Sequence, residues 1–188
     1  MLFNSYEFIF AFLPIALLIF ALLKSSNFYS LAKIWLVFAS FFFYGWWNYI
    51  YVPLLAGSIV FNFLIATQIR KNLHSEKSKK FLFFGVLFNV GVLGIFKYCD
   101  FFIFNINVIF SSNFHFINLA LPLAISFFTL QQIAFLVDTY EAISEEENFL
   151  NYCVFVSFFP QLIAGPIVHH KQMMPQFKKL GTDYVQYN

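Results

Sequence analysis

Two adjacent histidines, His169 and His170, close the apolar stretch "FFPQLIAGPIVHH". A second polar set, Ser126, Thr129, Gln131, Gln132 and Asp138, sits inside "SFFTLQQIAFLVDTY". A neutral His is a good general base near neutral pH, and a hydroxyl or amide in an apolar wall can hold a substrate oxygen. Spacing limits what the histidines can do. Helical zinc ligands recur at i,i+3 or i,i+4 because they must share a face. Adjacent residues point about 100° apart on a helix and to opposite sides of a strand. No Cys, Asp or Glu lies within a turn of the pair, and no carboxylate stands close in sequence to orient either ring. No metal site is expected. The expected setting is a soluble loop leaving a broken helix, with catalysis by His169 or His170 as the alternative.

The other candidates are weaker still. Cys99 and Cys153 are isolated in apolar surroundings and make neither a disulfide framework nor a zinc site. His74 lies in a basic loop and His115 among Phe residues, both expected to be solvated.

The polar set has a pattern. At 100° per residue, Ser126, Thr129 and Gln132 share one arc of a helix, while Gln131 and Asp138 share another. Gln161 adds an amide in the last apolar segment. A charge at the centre of a membrane helix costs about 2.5–3.5 kcal/mol, so Asp138 must face protein, water or the interface. Two readings follow. These side chains line a tunnel or substrate path as a polar wall, or they bond helix to helix with Asp138 at the interface.

Composition says what must position them. Hydrophobic residues make up 61% of the 188 and charged residues 11%, against about 45–50% and 25% in a soluble domain. A chain this short has no interior large enough for that apolar surface, so the excess faces lipid. The formal charge of +2 is too small and too scattered to suggest a nucleic-acid surface. Before the first apolar run there is no Lys or Arg, and Glu7 is present; the first Lys, Lys24, follows the run. A signal peptide has the reverse arrangement, so a retained membrane helix is expected.

The uncharged runs mark an all-α integral membrane protein, a single domain over residues 1–188 with about six membrane-embedded segments. Residues 8–23 hold twelve Phe, Ile or Leu, which favours insertion by about 4–7 kcal/mol at most. Residues 34–69 carry no charge; as one helix they would reach roughly 54 Å against a hydrocarbon core of about 30 Å. They should fold as two spans, turning within residues 46–53 at an aromatic cluster. Residues 81–97 form a further span, with Gly91 and Gly94 as a close-packing face. Residues 101–109 are too short to cross and contain Asn105 and Asn107, so a re-entrant or interfacial piece is expected, followed by a span from about Leu119 to Asp138. The last segment, about 149–168, should be broken by Pro160 and Pro166.

Charge then orients the chain. The loop "RKNLHSEKSKK", residues 70–80, carries five Lys or Arg and should be cytoplasmic. Counting back puts the loop of Lys24 and Lys33 on the same side and the N-terminus outside. Counting forward depends on whether residues 101–112 cross.

"MLFNSYEFIFAFLPI", "FKYCDFF", "LPLAISFFTLQQIAFLVDTY" and "FFPQLIAGPIVHHKQMMPQF" resemble, in order, motifs of the bacterial polysaccharide branch of the membrane-bound O-acyltransferase (MBOAT) family. That branch includes alginate O-acetyltransferases and peptidoglycan O-acetylation proteins. The resemblance implies a multi-helix enzyme of the bacterial cytoplasmic (inner) membrane. It would take an acetyl group from acetyl-CoA, with no tightly bound cofactor, and pass it to a polysaccharide or peptidoglycan hydroxyl outside, directly or through a periplasmic transferase partner. It also implies that the chain matches the N-terminal part of a longer member, inactive alone, with the family's essential His beyond Asn188. His169 and His170 then match a different motif and do not inherit that role. The competing function is a non-enzymatic multi-pass membrane protein, a small transporter or a scaffold subunit.

The orientation is testable with fusions. A reporter placed at Glu76 should give the cytoplasmic signal and one placed before Tyr6 the external signal; opposite signals at both sites would overturn it.

Overall fold

A computed structural model describes residues 4–143 and 148–164. Within them the chain is a bundle of helices with no strand. Three helical stretches are long and apolar enough to cross a membrane: Phe8–Ser25, Tyr29–Lys71 and Glu76–Phe110.

The first begins as a π-helical turn, Phe8–Phe12, and continues as α1, Leu13–Ser25. Pro14, which has no N–H to donate, sits where the π-helical turn passes into α1. Lys24 in the last turn suits the negative end of the helix dipole.

The 43-residue stretch is two helices, as the length argument requires. α2 runs Tyr29–Asn48 and α3 runs Val52–Lys71, joined by a 3₁₀ turn, Tyr49–Tyr51. Asn48 takes an extended conformation and its side chain accepts the Ile50 N–H at 3.0 Å, which reverses the chain. The turn lies inside the expected interval, residues 46–53. Lys33, early on α2, donates to Asn151 at 2.8 Å, and Phe63, late on α3, meets Phe149 at 5.0 Å between ring centroids. One end of α6, Phe149–Ser157, therefore sits between the start of α2 and the end of α3.

α4 departs from the sequence expectation. It runs unbroken from Glu76 to Phe110, 35 residues, or about 52 Å. Residues 101–109 are its continuation, not a separate re-entrant piece. Asn105 stays helical because its amide donates to the Phe101 carbonyl at 2.7 Å, a bond that spares the ladder. The following helix, α5, is also shorter than expected, Ile125–Tyr140; Asn118 and Ala124 adopt left-handed backbone and residues 112–122 are irregular. Because α4 passes once and α5 returns, Glu141 comes back to the end that holds residues 70–80.

The main core gathers Leu55 and Ile59 of α3, Ile125, Phe128, Phe135 and Leu136 of α5, and most of α6. Gly91 and Gly94 do not form the close-packing face: among the described residues, nothing lies within 4 Å of a Cβ built on either. Gly85 does, since a Cβ there would fall 2.6 Å from Leu136 and 3.0 Å from Ile65. The reason is tertiary, for α5 crosses α4 lower on its length than the sequence pattern suggests.

Gly85→Leu should therefore lower stability by about 1–3 kcal/mol through overpacking, whereas Gly91→Leu should change it by less than about 0.5 kcal/mol. Unfolding of both variants in mixed detergent would check this; equal losses would refute the assignment.

Candidate functional site: polar groups at the broken helix

α6 starts where Asn148 caps it, accepting the N–H groups of Leu150 and Asn151 at 2.9 and 3.2 Å. It ends at Ser157, and Phe158 turns out of the helix with ψ of 105°. A second short helix, α7, then runs Phe159–Ala164. The cause is Pro160, which has no N–H and whose ring would collide with the Val156 carbonyl in a continuous helix. The break was expected from the prolines. Gly165, Pro166, His169 and His170 lie outside the described residues.

The freed backbone groups are met by side chains from two other helices. In an unbroken helix the Phe159 N–H would bond to the Phe155 carbonyl. Here Phe159 N–H donates to Ser40 Oγ of α2 at 3.2 Å, and the Phe155 carbonyl accepts from Gln131 Nε2 of α5 at 3.1 Å. The Phe159 ring is held by Phe8, Phe12 and Phe43, with centroids 6.2, 5.1 and 5.6 Å away. The π-helical turn places Phe8 and Phe12 for this contact.

A second polar cluster lies between α3, α4 and α5. Gln132 Oε1 accepts from Ser58 Oγ at 2.5 Å and from Asn62 Nδ2 at 2.6 Å. Asn89 Nδ2 donates to Asn62 Oδ1 at 2.6 Å and to the Gly85 carbonyl at 2.8 Å. Ser58, Asn62, Asn89 and Gln132 are all buried.

Several buried polar atoms have no partner among the described residues: Gln131 Oε1, Gln132 Nε2, Gln161 Nε2 and the hydroxyls of Tyr44 and Tyr152. Such groups are rare in folded proteins and each asks for a reason. Amide N–H and phenol O–H groups are donors suited to a carbonyl or hydroxyl oxygen.

The sequence-derived residues fall in different places. Gln131 braces the broken helix, and Gln132 joins the interhelical cluster. Thr129 is buried on α5. Ser126 is half-buried in a cavity of about 330 Å³ at the start of α5, lined among the described residues by Leu121, Pro122, Ala124 and Leu162 as well. Asp138 is half-buried toward the opposite end of α5. Gln161 is buried on α7. Cys153 is buried and free, Cys99 half-buried and free, and His74 and His115 are exposed. Among the described residues no three His, Cys, Asp or Glu side chains gather. Sequence reasoning missed Ser40, Tyr44, Ser58, Asn62 and Asn89. A usable signal existed: Ser58 and Asn62 are i,i+4 on one face of a span with no charge.

Replacing Asn62 or Asn89 singly by Leu should cost about 1–3 kcal/mol, since the remaining partner is left buried and unmet. The double variant should recover about 0.6–1.7 kcal/mol of the summed loss. A double-mutant cycle in detergent unfolding would measure this, and strict additivity would dismiss the contact.

No protein-family model and no solved structure matches the chain. Curated sequences do. The chain is 48% identical to a peptidoglycan O-acetyltransferase of Helicobacter pylori, across all of this chain and 40% of that protein. It is 34% identical to a probable alginate O-acetylase AlgI of Pseudomonas aeruginosa and 32% identical to that of Azotobacter vinelandii. In each case 94% of this chain is aligned, against 34% and 36% of the relative. The chain thus spans well under half the length of these relatives. The described residues form a helical bundle whose longest helices suit a membrane, and over nearly all of its length the chain is similar to part of these O-acetyltransferases.

Proposed function

We propose that the protein carrying this chain moves an acetyl group from acetyl-CoA on the cytoplasmic side to a hydroxyl of an extracytoplasmic cell-wall polysaccharide. The observation that carries the reading is the whole-chain similarity to a peptidoglycan O-acetyltransferase, closer than that to the alginate proteins. A peptidoglycan-type acceptor is therefore favoured. The setting is a multi-pass protein of the bacterial cytoplasmic membrane with its N-terminus outside and residues 70–80 inside, working with a periplasmic transferase partner.

In the reaction, the acceptor hydroxyl oxygen attacks the thioester carbonyl carbon, the carbon–sulfur bond breaks, and the hydroxyl proton ends on the coenzyme A thiol. The described residues serve this by positioning. Gln161 Nε2 and Tyr44 Oη offer unpartnered donors in a dry interior, where a hydrogen bond to a carbonyl oxygen is stronger than in water. Gln131 holds the broken helix that carries Gln161. The proton acceptor is assigned to a His in the further length of the relatives' fold, with His169 and His170 outside that role.

The test is chemical. Disrupting the gene should lower the base-labile acetate released from purified peptidoglycan, and the intact gene supplied in trans should restore it. The same gene carrying Gln131→Leu should restore it poorly at equal membrane abundance. Unchanged ester content after disruption would favour a transporter or scaffold subunit.

A further inference from the structure

Along the outside of the bundle, the π-helical turn and α1 diverge from α2 to leave a cleft of about 450 Å³. Ala16 and Ala39 form its floor, both almost fully buried. The two helices are fixed there because Trp35 Nε1 donates to the Ala16 carbonyl at 3.0 Å. The walls are aromatic, Phe38 and Trp46 among them, and strongly exposed. Among the described lining residues one is charged: Glu7, at the same end as Trp46.

Size selects the occupant. From Glu7 to Ala16 the cleft is about 14 Å long at 1.5 Å per residue, leaving a mean cross-section of about 30 Å². That is the girth of one extended hydrocarbon chain. The polarity is that of an amphiphile, an apolar slot with an anionic group at one end. Its own backbone N–H and the Ser5 hydroxyl hold the Glu7 carboxyl below its ordinary value, so it is ionised at neutral pH.

We propose that this cleft is a lipid site: it holds one acyl chain of a phospholipid from the leaflet at the Trp46 end, whose ammonium headgroup pairs with Glu7. Phosphatidylethanolamine is the fitting class. An anionic headgroup would face the carboxylate with like charge. The site shares Phe12 with the cage around Phe159, but it does not depend on the acetyl-transfer reading.

Trp35 and Trp46 line the cleft and make the test intrinsic, since the chain has three Trp. The full chain is reconstituted in phosphatidylcholine vesicles with a small fraction of phosphatidylethanolamine or phosphatidylglycerol bearing brominated chains, which quench Trp emission on contact. At equal fraction the ethanolamine lipid should quench about threefold more effectively, the size of one interfacial ion pair. Glu7→Gln should remove that preference. Ala11→Phe, at the exposed rim, should abolish the excess quenching by both lipids while far-ultraviolet circular dichroism stays unchanged. Equal quenching at the bulk level in the unaltered chain would overturn the site. So would excess quenching that survives Ala11→Phe. Protection of Trp35 and Trp46 from both brominated lipids would mean that protein covers the cleft, and would overturn it as well.

Discussion

Lipid offers no hydrogen-bond partner, so each backbone group released by a break in a membrane helix must be met by another part of the protein. The interruption at Phe158 makes this concrete. One lost helical bond, Phe159 N–H to the Phe155 carbonyl, is replaced by two bonds to side chains on separate helices, Ser40 and Gln131. That requirement sets where α2 and α5 can lie relative to α6. It also explains why the Phe159 ring needs the cage of Phe8, Phe12 and Phe43, which holds the N–H over Ser40. The broken helix is thus the point on which three others converge.

Apolar packing alone could not hold those helices in one register. Lipid tails are as apolar as Leu, so van der Waals contact in a membrane gains from close approach rather than from leaving water. Two features supply what packing lacks. Gly85 lets α4 approach Leu136 of α5, and the amides of Asn62, Asn89 and Gln132 bond across the same three helices. Each such bond contributes only about 0.6 kcal/mol on average in a membrane. Their geometry nevertheless penalises any slip, because a shifted amide would be left buried without a partner.

The far end of α4 follows the same logic outside the packed core. Beyond Phe96, which meets Tyr51 edge to face, the helix leaves the main core. The returning chain is fastened to it by polar side chains: Asp100 accepts the N–H groups of Ile117 and Asn118 at 2.8 and 3.0 Å, and Asn107 accepts that of Phe114 at 2.9 Å. Irregular backbone is therefore anchored to a rigid rod, and Tyr51 fixes its exit through the Ala120 carbonyl. This places the start of α5, with Ser126 beside its cavity, next to Leu162 of α7.

By itself the sequence determined what depends on local length, charge and covalent constraint. The 36 uncharged positions from 34 to 69 exceed one crossing, so a turn was required, and Asn48 supplies it. Pro160 cannot continue a helix, so a break was legible. The excess of apolar residues demanded lipid, and the four motifs in order pointed to the O-acetyltransferases. Tertiary structure alone decided the rest. Residues 101–110 are uncharged whether they cross, re-enter or extend α4, and no local rule separates these outcomes; the anchoring by Asp100 and Asn107 does. Gly91 and Gly94 have the right spacing for a packed face, but contact depends on where a partner helix crosses, and α5 crosses at Gly85. Gln131 and Gln132 are neighbours about 100° apart, which told that they serve different surfaces. Which surface each serves, a broken helix or an amide cluster, is a property of helices distant in sequence that only folding brings together.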